Sequence, residues 1–226
     1  MIARIKTAGG TVYDSVVFAI IMDSFSSKII GFDEEYTTLE YINIYASSTS
    51  VEQNIIFMDS SHDGWVVNGN MSGYDFILGN ESLLHLIKQD RYIPESILQR
   101  CRHMQSAVCI PEWIEVCDSK SAENLLSAAG GFHDGVITDV KHHGDVCDVT
   151  FKVWGGSVTL RCTSCETSHS CRVGFGESGE IFDAGILFEN GRIIWVSERD
   201  VKSASDIAED ECFVSADKIF WKIDLD

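Results

Sequence analysis

No run of apolar residues in this 226-residue chain is longer than seven, Val16 to Met22. A bilayer span takes roughly 20, so no membrane partner is expected and the run reads as a buried strand. Lysine and arginine are scarce and scattered, 17 against 35 acids. Phosphate backbones are held by clustered cations, so a nucleic-acid partner is not expected either. Met1 to Lys6 mixes charge with apolar residues, and no apolar stretch with a small-residue cleavage site follows. The expected location is therefore the cytoplasm, where the eight cysteines would stay reduced and pack as small hydrophobes. The chain has no G-x-S-x-G elbow, no H-E-x-x-H and no phosphate-binding loop. No catalytic residue is assigned, and the reading leans away from an enzyme.

What is present is enough apolar material, 45% of residues, to bury a core without staples. The net charge of −18 falls equally on two halves: 17 acids and 8 bases before residue 132, then 18 and 9, so each carries −9. Charge spread this way attracts a basic protein partner at long range. It also serves solubility alone.

The pattern predicts an α+β, predominantly antiparallel β protein: an α+β portion over 1–131 with two to three short helices, then a hairpin-rich sheet or small barrel over 132–226. Val16 to Met22, Ile29 to Phe32, Tyr36 to Tyr45, Asn54 to Met58, Trp65 to Val67 and Tyr74 to Leu78 read as strands between Ser, Asp, Asn and Gly clusters. Helical stripes follow at Leu83, Leu84, Leu86 and Ile87 and, after Pro94, at Ile97, Leu98 and Cys101. A third helix is predicted over Lys120 to Ala129, capped by Asp118 or Ser119 and stopped by Gly130 and Gly131. From Phe132 onward turn signals recur at His143-Gly144-Asp145, Gly155-Gly156 and Asn190-Gly191. Between them Cys147, Val149, Phe151 and Val153 alternate with polar residues, as do Val158, Leu160 and Cys162, and later Ile219, Trp221, Ile223 and Leu225. No linker rich in Pro, Ser or Gly separates the two portions, so they can pack as one unit.

Four residues suggest a metal: Cys162, Cys165, His169 and Cys171. Thiolate and imidazole are the ligands tetrahedral zinc prefers, and Cys162 and Cys165 have knuckle spacing. His169 and Cys171 are only two apart, and a Ser/Thr-rich loop with reduced cysteines accounts for the same residues. Zinc is the cofactor to test, in a zinc-binding protein or a metal-dependent enzyme that uses the Cys162 to Cys171 cluster, and otherwise none is implied. Gly174, Gly176 and Gly179 match a dinucleotide fingerprint, but strand-like Ile181 to Phe188 follows where a helix is required, so the match is set aside. His62-Asp63-Gly64 and His133-Asp134-Gly135 read as turns that open strands, with glycine at positive φ. His142 and His143 are adjacent and read as part of a turn. Trp154, opposite in phase to Phe151 and Val153, is the candidate partner-binding residue.

Phe132-His133-Asp134 leading into Val136 to Val140, with the hairpin through Trp154-Gly155-Gly156 and Val158-Thr159-Leu160, resembles a β-rich module of small bacterial proteins. Some of these resemble immunity proteins of polymorphic toxin systems. The resemblance covers about the last 95 residues, from Phe132. It implies a cytoplasmic, non-enzymatic protein that blocks a toxin, and it carries no residue roles. The loop from Cys162 to Cys171 is foreign to that module.

Overall fold

The seven-residue apolar run does not form one strand. It holds the end of β2 (Val12–Val16) and the whole of β3 (Ala19–Met22), which belong to different sheets. The structure, a computed structural model, describes residues 1–226 apart from 8, 23–25, 37–38, 47–53, 60–64, 70–75, 81–94, 109, 154–155, 179–180 and 226. Strands β1 (Ile2–Lys6) and β6 (Asn54–Asp59) complete a three-stranded sheet of order β2-β1-β6. Strands β4 (Ser26–Phe32), β5 (Leu39–Ala46), β7 (Trp65–Gly69) and β8 (Phe76–Asn80) form the other, of order β5-β4-β3-β8-β7. Every pairing in both is antiparallel. Between β2 and β3 the chain changes sheets. Val17 packs with Ala3, Ile5, Ile29 and Ile42, while Phe18 packs with Val16, Ala19, Ile30 and Phe32. Alternation is lost there because both residues are buried, each in its own cluster.

Helix α1 (Glu95–Ser106) follows the predicted stripe and buries Cys101 beside Phe18 and Phe32, with Ile97 and Leu98 packed against them. Its Gln105 side chain satisfies the open edge of β2. The Val16 N–H donates to Oε1 at 2.7 Å, and Nε2 donates to the Asp14 carbonyl at 2.8 Å. A buried primary amide thus stands in for a neighbouring strand. The stripe from Leu83 to Ile87 and the triplet His62-Asp63-Gly64 lie outside the described residues.

Contacts divide the chain into two units, Met1–Ile110 and Pro111–Asp226. The second opens with β9 (Ile114–Val116) and α2 (Ser119–Ala128). Asp118 caps α2: its carboxylate accepts from the Ser121 N–H at 2.8 Å, and the Ser121 hydroxyl oxygen accepts from the Asp118 N–H at 2.9 Å. Gly130 and Gly131, both at positive φ, end it as the sequence predicts.

Strands β10 (Val136–His143), β11 (Val146–Val153), β12 (Gly156–Thr163) and β17 (Lys218–Leu225) then join β9 in the order β10-β11-β12-β17-β9. Strands β13 (Glu166–Thr167), β14 (Gly185–Glu189), β15 (Arg192–Val196) and β16 (Phe213–Ala216) form a second sheet, β13-β16-β15-β14. A single residue, Asp217, links β16 to β17, so the chain crosses from one sheet to the other almost without a loop. Among the described residues these are two open sheets rather than a closed barrel. The predicted alternation places Cys147, Val149, Phe151, Val158, Leu160, Cys162, Ile219 and Trp221 in the core. Phe132, Phe151 and Trp195 tie the sheets together, with ring centroids 4.7 to 5.4 Å apart. The fold is α+β and strand-rich, and no helix among the described residues is long and apolar enough to cross a membrane.

Candidate metal centre

One tight turn, one bulge and the register of two hairpins assemble a row of metal-ligating side chains. Gly144 and Asp145 close the β10–β11 hairpin, so His142 pairs with Cys147, and in the next hairpin Cys147 pairs with Cys162. Residues paired across a sheet project to the same side. His142, Cys147 and Cys162 therefore line up across three adjacent strands, on the face that carries the core. The bulge decides that His142 is the histidine included. Register slips at Thr138, between Ile137 opposite Phe151 and Asp139 opposite Thr150. Without the extra residue Lys141 would share the face of Ile137, and His142 would point away.

Cys165 joins from above. After β12 the chain turns through Ser164, which adopts a φ of +50°, a conformation uncommon for a residue with a Cβ. The Ser164 N–H donates to the Asp145 carbonyl at 2.7 Å. The Ser164 carbonyl accepts from Arg192 Nη2 at 2.9 Å. Arg192 also donates to the Ser215 hydroxyl at 2.7 Å and to Asp217 at 3.1 Å. One guanidinium thus fastens the Cys162–Cys165 turn to β16, a task suited to its rigid fork of donors.

The His142, Cys147 and Cys165 ligand atoms all lie within 4.8 Å of one another, with His142 Nε2 3.9 Å from the Cys147 sulfur. Zinc, at about 2.3 Å from sulfur and about 2.0 Å from nitrogen, sets tetrahedral ligands roughly 3.5 to 3.8 Å apart. The observed spacing needs only a small contraction to match. Burial, then the neighbouring Cys165 sulfur, push the Cys147 thiol up to about 12. Cys162 is pushed up too, first by burial and then by the Cys147, Cys165 and Cys171 sulfurs. These sulfurs crowd one another in a place where negative charge is poorly solvated.

Of the four residues singled out in the sequence, Cys165 sits inside this group, and Cys162 and Cys171 are buried beside it. His169 is exposed, lining an open groove of about 600 Å³ with Glu166, Ser168 and Ile194. Two further residues of the site, His142 and Cys147, escaped sequence reasoning. His142 lies within β10, not in a turn, because the turn is only Gly144 and Asp145. The turns expected at His143-Gly144-Asp145 and Gly155-Gly156 would pair His142 with Val146 and Cys147 with Ser164; instead His143 ends β10 and Gly156 opens β12 opposite Val153, which sets His142 opposite Cys147 and Cys147 opposite Cys162. Trp154 lies outside the described residues.

The loop after β13 approaches from the other side. It is held at both ends: Ser168 and Phe213 exchange hydrogen bonds of 3.1 Å, and Ile137 exchanges two with Gly174 and Phe175, 2.8 and 2.9 Å long. Between those anchors stands buried Cys171. Its neighbour Cys212, the residue before β16, lowers the Cys171 thiol below the ordinary range, while Cys171 and burial push Cys212 up. All seven described cysteines are free thiols.

The second unit is thus a pair of β-sheets with helix α2 that carries a thiol–imidazole constellation. Compared with protein-family models, with curated proteins and with solved structures, the chain matches none.

Proposed function

We propose that this is a non-enzymatic metal-binding protein that holds one zinc ion in its second unit, through Cys147, Cys165 and His142 with a further cysteine as fourth ligand. The observation that supports it is the convergence of these three ligand atoms within 4.8 Å, built from three different segments of chain. The 4.8 Å group itself holds three ligands; the fourth ligand of a structural site would come from Cys162, paired with Cys147 across the sheet, or from buried Cys171. A divalent cation also relieves the crowding of the sulfurs, which otherwise favours their protonated forms. Elemental analysis of full-length protein, prepared without chelators and with zinc supplied, is expected to give one zinc per chain. Stripping the metal is expected to lower the melting temperature, since an ion at about 1,000 times its Kd stabilises by about 4 kcal/mol. Zinc-free protein with an unchanged melting temperature would remove the proposal.

A second reading concerns the acidic exterior and is favoured by the even spread of −18 over the chain. On it, the protein is an immunity-type binder in the cytoplasm that blocks a basic partner, with long-range attraction supplied by its acids. Capture from native-host lysate at about 50 mM salt, followed by reconstitution from purified components, is expected to give one stoichiometric basic protein whose association weakens at about 500 mM. Binding indifferent to salt, or absent, would dismiss it.

A further inference from the structure

Strand β2 ends its sheet, and its outer edge is only partly closed. The Val16 N–H and the Asp14 carbonyl point away from β1, and the Gln105 amide takes both, as one residue of a parallel neighbouring strand would. Backbone groups two residues apart along a strand point the same way, so the Asp14 N–H and the Val12 carbonyl face outward too. They form the next position of the same ladder, opposite Tyr13. No backbone group bonds either of them among the described residues. The Tyr36 hydroxyl stands near the Asp14 backbone.

This position opens on a groove of about 640 Å³, walled by Val12, Tyr13 and Asp14 of β2, by Tyr36, and by Arg102 and Gln105 of α1. A strand edge that faces a helix across an open groove can take an extended peptide as a further strand. Val12 and Tyr36 are exposed, and β2 carries no proline, lysine or bulge to guard its edge. The surrounding charge selects a basic peptide. The Tyr13 hydroxyl donates to the Phe32 carbonyl at 3.2 Å, and the chain turns directly afterwards through Asp33-Glu34-Glu35, where the Tyr36 N–H donates to the Asp33 carbonyl at 3.0 Å. The Tyr13 and Tyr36 rings then meet edge-on, 6.1 Å apart. Burial, then Glu40, Asp33 and Glu34, push the Tyr13 hydroxyl up to about 12, so the negative field of these acids reaches the groove. Of the nearby cations, Arg4 holds both Asp14 carboxylate oxygens at 2.8 and 3.1 Å, and Arg102 holds Glu95 at 2.9 Å. Glu34 and Glu35 are exposed.

We propose that the edge of β2 is a docking site for an extended basic segment of a partner protein, which pairs in parallel beside Gln105 and lays a lysine or arginine over Tyr13 and Tyr36 toward Glu34 and Glu35. This rests on the basic-partner reading above and gives that partner a place to bind. The segment's residue opposite Tyr13 donates its N–H to the Val12 carbonyl. Its own carbonyl accepts from the Asp14 N–H, in the place of the Tyr36 hydroxyl. Its side chain projects to the face of the sheet that carries Tyr13. There the stem of a long basic residue packs on the two rings while its charged head meets the acids of the turn.

The test selects peptides from a random phage-displayed library on the full-length protein at about 50 mM salt, then follows a synthetic copy of the enriched sequence by calorimetry and amide exchange. Peptides bearing lysine or arginine are expected to bind one per chain and to slow exchange of the Asp14 amide. Methylating the peptide nitrogen that faces β2 is expected to weaken binding at least ~10-fold, because the Val12 carbonyl is left unpaired, whereas methylating its neighbours changes little. Glu34→Lys is expected to weaken binding at least ~5-fold. The control is Glu123→Lys, exposed on α2 in the other unit, which is expected to bind like wild type. Enrichment of no basic peptide, a loss indifferent to which nitrogen is methylated, or undiminished binding by Glu34→Lys would overturn the docking edge. The basic-partner reading would then stand if lysate capture still returns its salt-sensitive protein. Absence of that protein as well would overturn both.

Discussion

Cys165→Ser is expected to weaken zinc binding on the order of 100-fold while leaving the hydrophobic core intact. The two effects can be separated at this position because Cys165 is only partly buried and lies on a turn, whereas Cys147 and Cys162 are fully buried core residues. Serine there removes a sulfur and little packing. Structural zinc sites in small domains contribute about 10 to 16 kcal/mol in all, so one of four ligands accounts for roughly 3 kcal/mol, a weakening on the order of 100-fold. Competition against a chelator of known affinity reads this directly. The melting temperature of the metal-free protein is expected to be the same for variant and wild type, since the difference between them lies in the ion. His169→Ala is the control: this residue lies in the neighbouring groove, and its replacement is expected to leave affinity unchanged. A Cys165→Ser protein that holds zinc as tightly as wild type would sink the assignment, and so would loss of binding on His169→Ala alone.

Much of this arrangement could be read in the sequence, and the unread parts have identifiable causes. Alternation fixed the inward faces of β11, β12 and β17 because one side of that sheet is a core and a shift of one residue would invert every side chain. The Cys-x2-Cys spacing pointed to the turn at Cys165. His142 was missed for two reasons. Reading His142 and His143 as part of the turn begins it two residues early, and a bulge at Thr138 changes which side of β10 faces inward, which simple alternation cannot foresee. The run Val16 to Met22 misled in another way. Continuous hydrophobicity reports burial on both sides, and here both sides are buried because the chain passes between two sheets.

The motif Phe132-His133-Asp134 gives the sharpest contrast between a residue that builds the fold and one that merely decorates it: Phe132→Ala is expected to destabilise the protein by ~3–5 kcal/mol, and His133→Ala to change stability by no more than ~0.5 kcal/mol. Phe132 is fully buried and lies edge-on to both Phe151 and Trp195, at 5.0 and 5.4 Å between centroids, so it touches one residue of each sheet. Its backbone is held at φ +59°, and the Gly135 N–H donates back to its carbonyl at 2.8 Å. The turn differs from the sequence expectation in that Asp134, not Gly135, takes the positive φ. Glycine is required at 135 for another reason: a Cβ there would stand 2.6 Å from the Phe132 carbonyl oxygen. His133 and Asp134 are exposed, their side chains 3.9 Å apart, and His133 Nδ1 bonds the Phe182 carbonyl. Removing the phenyl ring leaves a cavity between rigid strands that cannot collapse, against a total stability of about 5 to 15 kcal/mol for a typical domain. Chemical denaturation of the zinc-loaded full chain measures both variants. If Phe132→Ala costs less than about 1 kcal/mol, the three-ring cluster is not what joins the sheets. If His133→Ala costs as much as Phe132→Ala, the motif is a unit held together by its histidine and not a turn built around one buried ring.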